Sequence, residues 1–417
     1  MPTGTAYHPR LVDPLLEELS DELSALIVVG PRAVGKTTTA TRRSATTVRL
    51  DVPAEAAAFE ADPDVALRGL AEPVLLDEWQ VVPGVLGAVA RSVDDDPRPG
   101  RFLLTGSARA EIENTPWPGT GRLQRLVMLP MTVRERWRLT STPFLQKLVT
   151  GAPLDVPTDP PDLRGYVELA LEGGFPRPAL ALRGARARAA WFESYIADLL
   201  SHDIERLEEP RTKRRDAARL RRYFEAYALN SAGVCAHKAI YEAAQVTKKT
   251  ADDYEQLLMR LYVVERVPAW TSNRLKRLVL QPKRYIVDPA LLAHMLRLDV
   301  NGVLRDGRLL GRILDSFAAA QLRPEIAVSA EQPRLHHLRT KRGEHEVDLL
   351  IELGGFRVIG IEVKASAAPD STDAEHLSWL RDQLGDRFLA GVVLHTGPRG
   401  YPLGERITAA PLACLWG

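Results

Sequence analysis

The chain has 417 residues, 45% hydrophobic and 26% charged, with a formal net charge of +1; at roughly 150 residues per domain this is an ordinary globular composition for two to three domains. The near-zero balance excludes a global field that would draw the molecule to nucleic acid or a membrane, so a basic binding surface has to be local. Cys235 and Cys414 are too few for a disulfide framework or a cysteine zinc site. No stretch approaches the roughly 20 apolar residues of a membrane span and the N-terminus lacks a signal-peptide pattern, so a cytoplasmic protein with no membrane partner is expected.

Residues 8–24 carry leucines at helical spacing and predict a lead-in helix. The apolar strand Leu26-Ile27-Val28-Val29 then enters Gly30-Pro31-Arg32-Ala33-Val34-Gly35-Lys36-Thr37-Thr38, which has the G-x-x-x-x-G-K-T spacing of a P-loop. Glycines let the backbone wrap its N–H groups around a phosphate chain, Lys36 reaches the outer phosphate oxygens, and Thr37 offers a hydroxyl to Mg²⁺. The helix that begins near Lys36 turns its positive end to the same anion. A surface glycine turn shares the spacing, but the strand before it and the helix after it are the context that an ATP site requires.

A second strand at 47–51 and an alanine-rich helical stretch at 53–70 lead to Pro73-Val74-Leu75-Leu76-Asp77-Glu78. An apolar strand ending in a carboxylate is what a Walker B strand needs, because Asp77 holds the Mg²⁺ shell opposite Thr37 and Glu78 can polarise the attacking water. The strand Arg101-Phe102-Leu103-Leu104-Thr105-Gly106-Ser107 ends in small polar residues at the sheet edge where ligands of open α/β sheets bind. Thr105 or Ser107 is therefore a candidate sensor of the γ-phosphate; a β-turn with a capping serine is the alternative. Arg122, just before the strand-like 123–129, is a candidate arginine finger that would act from a neighbouring subunit, and so implies a homo-oligomer.

Gly30-Pro31-Arg32, Gly35-Lys36-Thr37, Asp77-Glu78-x-Gln80-x-x-Pro83, Leu104-Thr105-Gly106-Ser107 and Gly121-Arg122 followed by Leu129-Pro130 together resemble the prokaryotic AAA-type ATPases that carry a C-terminal domain of unknown function. The resemblance continues more loosely through Gly173-Gly174-Phe175-Pro176 and Tyr285-Ile286-Val287-Asp288 to Glu362-Val363-Lys364. It implies ATP and Mg²⁺ chemistry at Lys36, Thr37, Asp77 and Glu78, and leaves the biological task open.

Prolines at 143, 153, 157, 160 and 161 mark a linker or excursion loop, after which helical patterns return at 166–172 and 183–204. The most basic stretch, 211–222 with Arg214 and Arg215, can lie along phosphates or form a solvated helix face paired with Glu208 and Glu209. Residues 236–268 read as helix, turn, helix, strand, with Thr247 capping the second helix; this is the order of a winged helix-turn-helix. Lys248 and Lys249 then stand at the N-terminal end of the recognition helix, where DNA is met, although such modules also serve as protein-docking or structural units.

The last third predicts a helix at 309–322 and strands at 333–340, 346–352 and 358–364, then a helix at 373–384 and a strand at 388–395. Asp348, thirteen intervening residues, then Glu362-x-Lys364 is the arrangement of a PD-(D/E)xK nuclease site across a hairpin, where strand alternation sets Glu362 and Lys364 on one face beside Asp348. The two carboxylates can hold a divalent metal and the lysine can orient a water. Asp315, on the preceding helix, is a further candidate metal ligand, where the resembled ATPases usually have a glutamate.

The expected fold class is α/β: a P-loop AAA-type parallel-sheet domain over 1–140, a Pro-rich linker over 141–164, a helical and winged-helix domain over 165–300, and a restriction-endonuclease-like α/β domain over 301–417. The expected function is ATP hydrolysis coupled to binding or remodelling DNA, with a nuclease-like C-terminal domain that is not expected to cut robustly. The competing reading is a nucleotide-controlled regulatory switch that binds a protein partner, with the later domains as scaffolds.

Overall fold

In the computed structural model, which describes residues 7–106, 119–203, 217–272, 280–340 and 343–417, the chain divides into two units. One is Met1–Leu129 with Arg260–Tyr262, and the other is Pro130–Met259 with Val263–Gly417.

The first unit is organised by its strands. β1 (Ala25–Val29) is buried at every position, as are β3 (Val74–Asp77) and β4 (Phe102–Gly106), because a parallel sheet is covered on both faces and its strands become continuous apolar runs. With β2 (Thr46–Arg49) and β5 (Leu123–Val127) they form one parallel sheet in the order β2-β3-β4-β1-β5. Helices α1 (Val12–Glu22), α2 (Lys36–Thr41), α3 (Pro53–Ala61), α4 (Pro63–Leu67) and α5 (Gly84–Asp95) accompany them. The helical stretch expected over 53–70 is broken at Asp62, whose side chain accepts the Val65 N–H at 3.0 Å and caps a second helix opened by Pro63. Apolar residues of α5 (Val85, Leu86, Val89 and Val93) share a core with Ile27, Leu76 and Leu104.

The second unit begins with α6 (Val133–Trp137) and α7 (Phe144–Thr150). α7 lies within 141–164, the stretch expected as a linker. Pro143 precedes its first turn and Gly151, left-handed at φ 71°, closes the last, while Phe144, Leu145 and Leu148 are buried between them; the prolines at 153, 157, 160 and 161 fall in the irregular stretch 152–162 that follows. The backbone N–H groups of Phe144 and Leu145 donate to Glu325 at 3.3 and 2.9 Å.

Helices α8 (Leu163–Glu172), α9 (Ala185–Asp198) and α10 (Ala217–Leu229) lead to α11 (His237–Ala243) and α12 (Lys248–Arg260), then to an antiparallel hairpin of β6 (Val264–Val267) and β7 (Lys283–Ile286). This is the helix, turn, helix, strand order read from the sequence, with a second strand added. Thr247 Oγ1 accepts the Thr250 N–H at 3.2 Å. Beyond α13 (Pro289–Met295) and α14 (Val300–Arg305), the long α15 (Gly307–Val328) packs on a mixed sheet ordered β12-β13-β11-β10-β9-β8. Its strands are β8 (Arg334–Arg339), β9 (Glu346–Glu352), β10 (Val358–Val363), β11 (Phe388–His395), β12 (Tyr401–Gly404) and β13 (Ile407–Pro411), and α16 (Glu375–Leu384) covers part of it. β9 and β10 pair as the expected antiparallel hairpin, with Leu349 opposite Ile361.

Two motifs far apart in sequence meet in this unit. Asp288 caps α13 by accepting the Ala290 N–H at 2.9 Å, and its other oxygen accepts the Gly174 N–H at 2.7 Å. The motifs at 173–176 and 285–288 are thus two halves of one buried latch. No helix among the described residues is long and apolar enough to cross a membrane.

Candidate active site

The phosphate-loop geometry starts at the carboxyl end of β1. Gly30 has φ 150°, and a Cβ there would lie 2.0 Å from the Met128 carbonyl oxygen, so the strand can turn at this point only with glycine. Gly35, left-handed at φ 99°, then starts α2. Lys36 is buried and its ammonium donates to the carbonyls of Gly30 at 3.0 Å and Pro31 at 2.8 Å, which holds it inside the loop. Pro31 and Val34 are buried, whereas Arg32, Ala33 and Thr38 are exposed. Arg10, which the sequence reading did not single out, donates to the Val34 carbonyl at 2.7 Å and to that of Leu129 at 2.8 Å. A lone arginine before an amphipathic helix carries no signal of that role.

Strand order brings the other residues to the loop. β4 lies between β1 and β3, and its register sets Thr105 level with Val28 on one side and Asp77 on the other. Thr37 Oγ1 donates to Asp77 Oδ1 at 2.8 Å, and the Thr105 hydroxyl donates to the same oxygen. P-loop, Walker B carboxylate and the candidate sensor hydroxyl therefore form one hydrogen-bonded group at the carboxyl edge of the sheet. Glu78 leaves the strand in the left-handed region at φ 54°, uncommon for a non-glycine residue, and accepts a hydrogen bond from the Gln80 amide. Gln80, a member of the Asp77-Glu78-x-Gln80 motif with no role of its own in the sequence reading, thus touches the candidate water-activating group.

Arg122 lies elsewhere. β5 starts level with Ala25, so Arg122 stands at the amino edge of the sheet, opposite the loop after Val29, and there it pairs with Asp94 at 2.6 Å. Ser107, Arg214 and Arg215 lie outside the described residues.

Lys248 and Lys249 are exposed at the start of α12, and Lys248 pairs with Asp252 one turn on at 2.7 Å. Farther along the helix, buried Glu255 accepts from Arg284 at 2.9 Å and from Arg266, which ties α12 to the hairpin behind it.

At the C-terminal acids the sequence reading missed a residue. Lys283 of β7 is buried and donates to Asp315 at 2.5 Å and to the Asp348 carboxylate at 3.0 Å. Tyr285, two residues on and so on the same side of the strand, donates to Asp315 at 2.8 Å. Burial pushes Asp315 up to about 6 against the pull of Lys283, whereas at Asp348 the burial effect is outweighed by Lys283 and by the Val363 N–H, and its value falls. Burial and the neighbouring Asp348 charge lift Glu362 well above the usual carboxylate range; its Oε2 lies 3.4 Å from Lys364 Nζ. A lysine heading the short strand Lys283-Arg284-Tyr285-Ile286 is a weak signal, and nothing in its spacing points to acids 32 and 65 residues away.

Comparison with known proteins covers the chain in pieces. Residues 23–137 match the family model described as an AAA domain, and residues 163–301 and 310–415 match two models described as domains of unknown function, DUF8612 and DUF4143. Uncharacterized proteins of Mycobacterium bovis and Mycobacterium tuberculosis are each 29% identical over 392 residues, or 93% of this chain and 79% of theirs. AMPPCP-bound DnaA from Aquifex aeolicus is similar over 60% of this chain and 86% of its own at 11% identity, with a TM-score of 0.23, too low to carry an argument. The firm result is that the P-loop, Asp77, Glu78 and Thr105 all lie within the segment that matches an AAA domain.

Proposed function

We propose that this chain hydrolyses ATP at the P-loop site and uses the cycle to act on DNA. The observation that carries the first half is the shared hydrogen bonding of Thr37 and Thr105 to Asp77 beside the glycine-walled loop of Lys36. The hydroxyl of Thr37 and the carboxylate of Asp77 are hard oxygen donors within 2.8 Å of each other, a set that suits Mg²⁺, which binds through one or two protein oxygens plus substrate phosphates. Bound there, Mg²⁺ would neutralise charge on the outer phosphates. Lys36 exchanges its carbonyl partners for phosphate oxygens, Thr105 reads the γ-phosphate, and Glu78 orients water once it leaves the Gln80 amide.

The DNA half is supported by the winged-helix order and by the exposed Lys248 and Lys249 at the start of α12. A specific observation favours the competing protein-switch reading: Lys248 is already paired with Asp252, so a phosphate must displace that carboxylate. The deciding experiment is ATP turnover with and without single-stranded, duplex and branched DNA at two salt concentrations. Stimulation by DNA that weakens with salt supports the proposal. Turnover indifferent to every DNA leaves the switch.

A further inference from the structure

The divalent metal expected at Asp315, Asp348 and Glu362 does not fit these side chains as they stand. Each of the four oxygens on the two aspartates already accepts a hydrogen bond from the protein. Asp315 Oδ1 takes the Tyr285 hydroxyl at 2.8 Å and Asp315 Oδ2 the Lys283 ammonium at 2.5 Å. Asp348 Oδ1 takes the same ammonium at 3.0 Å, and Asp348 Oδ2 takes the Val363 N–H at 3.1 Å. Glu362 alone keeps an open oxygen: Oε1 has no hydrogen-bond partner among the described residues, while Oε2 faces Lys364. One open oxygen on a carboxylate whose other oxygen faces the Lys364 ammonium is a poor offer to an ion that wants a near-octahedral oxygen shell. Among the described residues no group of three His, Cys, Asp or Glu side chains is arranged to hold a metal.

We propose that Lys283 is the resident cation of this site: its ammonium stands between Asp315 and Asp348 where a nuclease would keep its metal, and the C-terminal domain works without metal and without cutting DNA. The strand that delivers Lys283 explains what the site does instead. Successive side chains of β7 point to opposite sides. Lys283 and Tyr285 reach the acids of α15 and β9, while Arg284 reaches Glu255 on α12 and the Cys235 carbonyl at 3.0 Å. One strand of four residues therefore joins the second helix of the winged helix to the C-terminal sheet through buried ion pairs on both of its sides. A buried charge that loses its partner is strongly destabilising, so this link is held as long as both acids keep Lys283.

The test is Mn²⁺ binding by the full chain without nucleotide, followed by the electron paramagnetic resonance of free Mn²⁺, on the wild type and on Glu362→Gln. Mn²⁺ is the stringent probe because carboxylate and water ligands suit it and Mg²⁺ demands a more nearly ideal octahedral shell. Glu362→Gln removes the one acid with an open oxygen and leaves the Lys283 bridges in place, so it is expected to fold. Equal Mn²⁺ stoichiometry in the two proteins is the expected result. A wild-type ion lost in Glu362→Gln would overturn the proposal. Lys283→Ala adds a second arm: if it folds, it should take up one ion more than the wild type and gain thermal stability on adding Mn²⁺, and a folded variant that takes up none would count against the proposal. ATP binding at the P-loop tests the other reading separately.

Discussion

Glu78 is held in a backbone conformation that side chains rarely adopt, with the Gln80 amide on its carboxylate. The two acids have different partners: Asp77 accepts from the hydroxyls of Thr37 and Thr105, and Glu78 from the Gln80 amide. On the proposed role of Glu78 as the group that activates water, replacing it with Gln should leave Mg·ATP affinity within about twofold while turnover falls on the order of 10²-fold or more. Lys36→Ala should instead weaken nucleotide binding, since the ammonium that leaves Gly30 and Pro31 for phosphate is gone. Binding of a fluorescent ATP analogue together with phosphate release distinguishes the two. Undiminished turnover in both variants would remove the ATPase assignment.

α12 and α7 are the elements whose surroundings make predictions. On α12, Lys248 and Lys249 stand at the exposed first turn, while Glu255 anchors the buried side to Arg284. Substituting both lysines with alanine should weaken duplex binding and reduce the slope of affinity against salt by about two, one for each phosphate that is no longer neutralised. An unchanged slope in a salt titration would assign α12 to structure or protein docking. At α7, burial lifts Glu325 to about 7, against the N–H groups of Leu145 and Phe144 and the charge of Arg134. An acid whose folded value is raised holds its proton longer in the folded chain, which then loses stability as pH rises from the unfolded value through the folded one. That window is about 4.5 to 7 here. Glu325→Gln removes the titration, so its melting temperature relative to wild type should climb by a few degrees between the two ends of this window. Parallel melting curves across it would show that Glu325 titrates as an ordinary carboxyl.

The whole molecule is needed to give Arg122 a role. It stands at the amino edge of its sheet, and the five residues of β1 between the two edges span roughly 16 Å at about 3.3 Å each. An arginine there cannot touch the phosphates bound by its own loop, so a catalytic part for it requires a second copy of the chain. Arg122→Ala and Lys36→Ala proteins, each slow alone, should then recover turnover when mixed, because a mixed assembly pairs an intact P-loop with an intact arginine. Mixtures no faster than the average of their components would reduce Arg122 to its surface pair with Asp94, an exposed ion pair worth little.

Local chemistry made much of this molecule legible before any fold was known. Glycines at 30 and 35, a lysine and threonine after them, and a carboxylate at the end of an apolar strand are dictated by short-range needs, so their spacing survives as a readable pattern. The same holds for the hairpin carrying Asp348 and Glu362, whose two apolar runs pair as the antiparallel strands β9 and β10, although both are buried along most of their length rather than at alternate positions. Other features depend on long-range pairing and leave no such trace. The place of Thr105 beside Asp77 rests on β4 lying between β1 and β3, a matter of strand order. The helix at 144–150 leaves little trace because a proline that precedes a helix also marks a loop, and only burial against α15 separates the two. Lys283 was silent for the same reason: a lysine becomes a buried counter-ion only when folding brings distant acids to it, and the cost of burying that charge is met by Asp315 and Asp348, not by its neighbours in sequence.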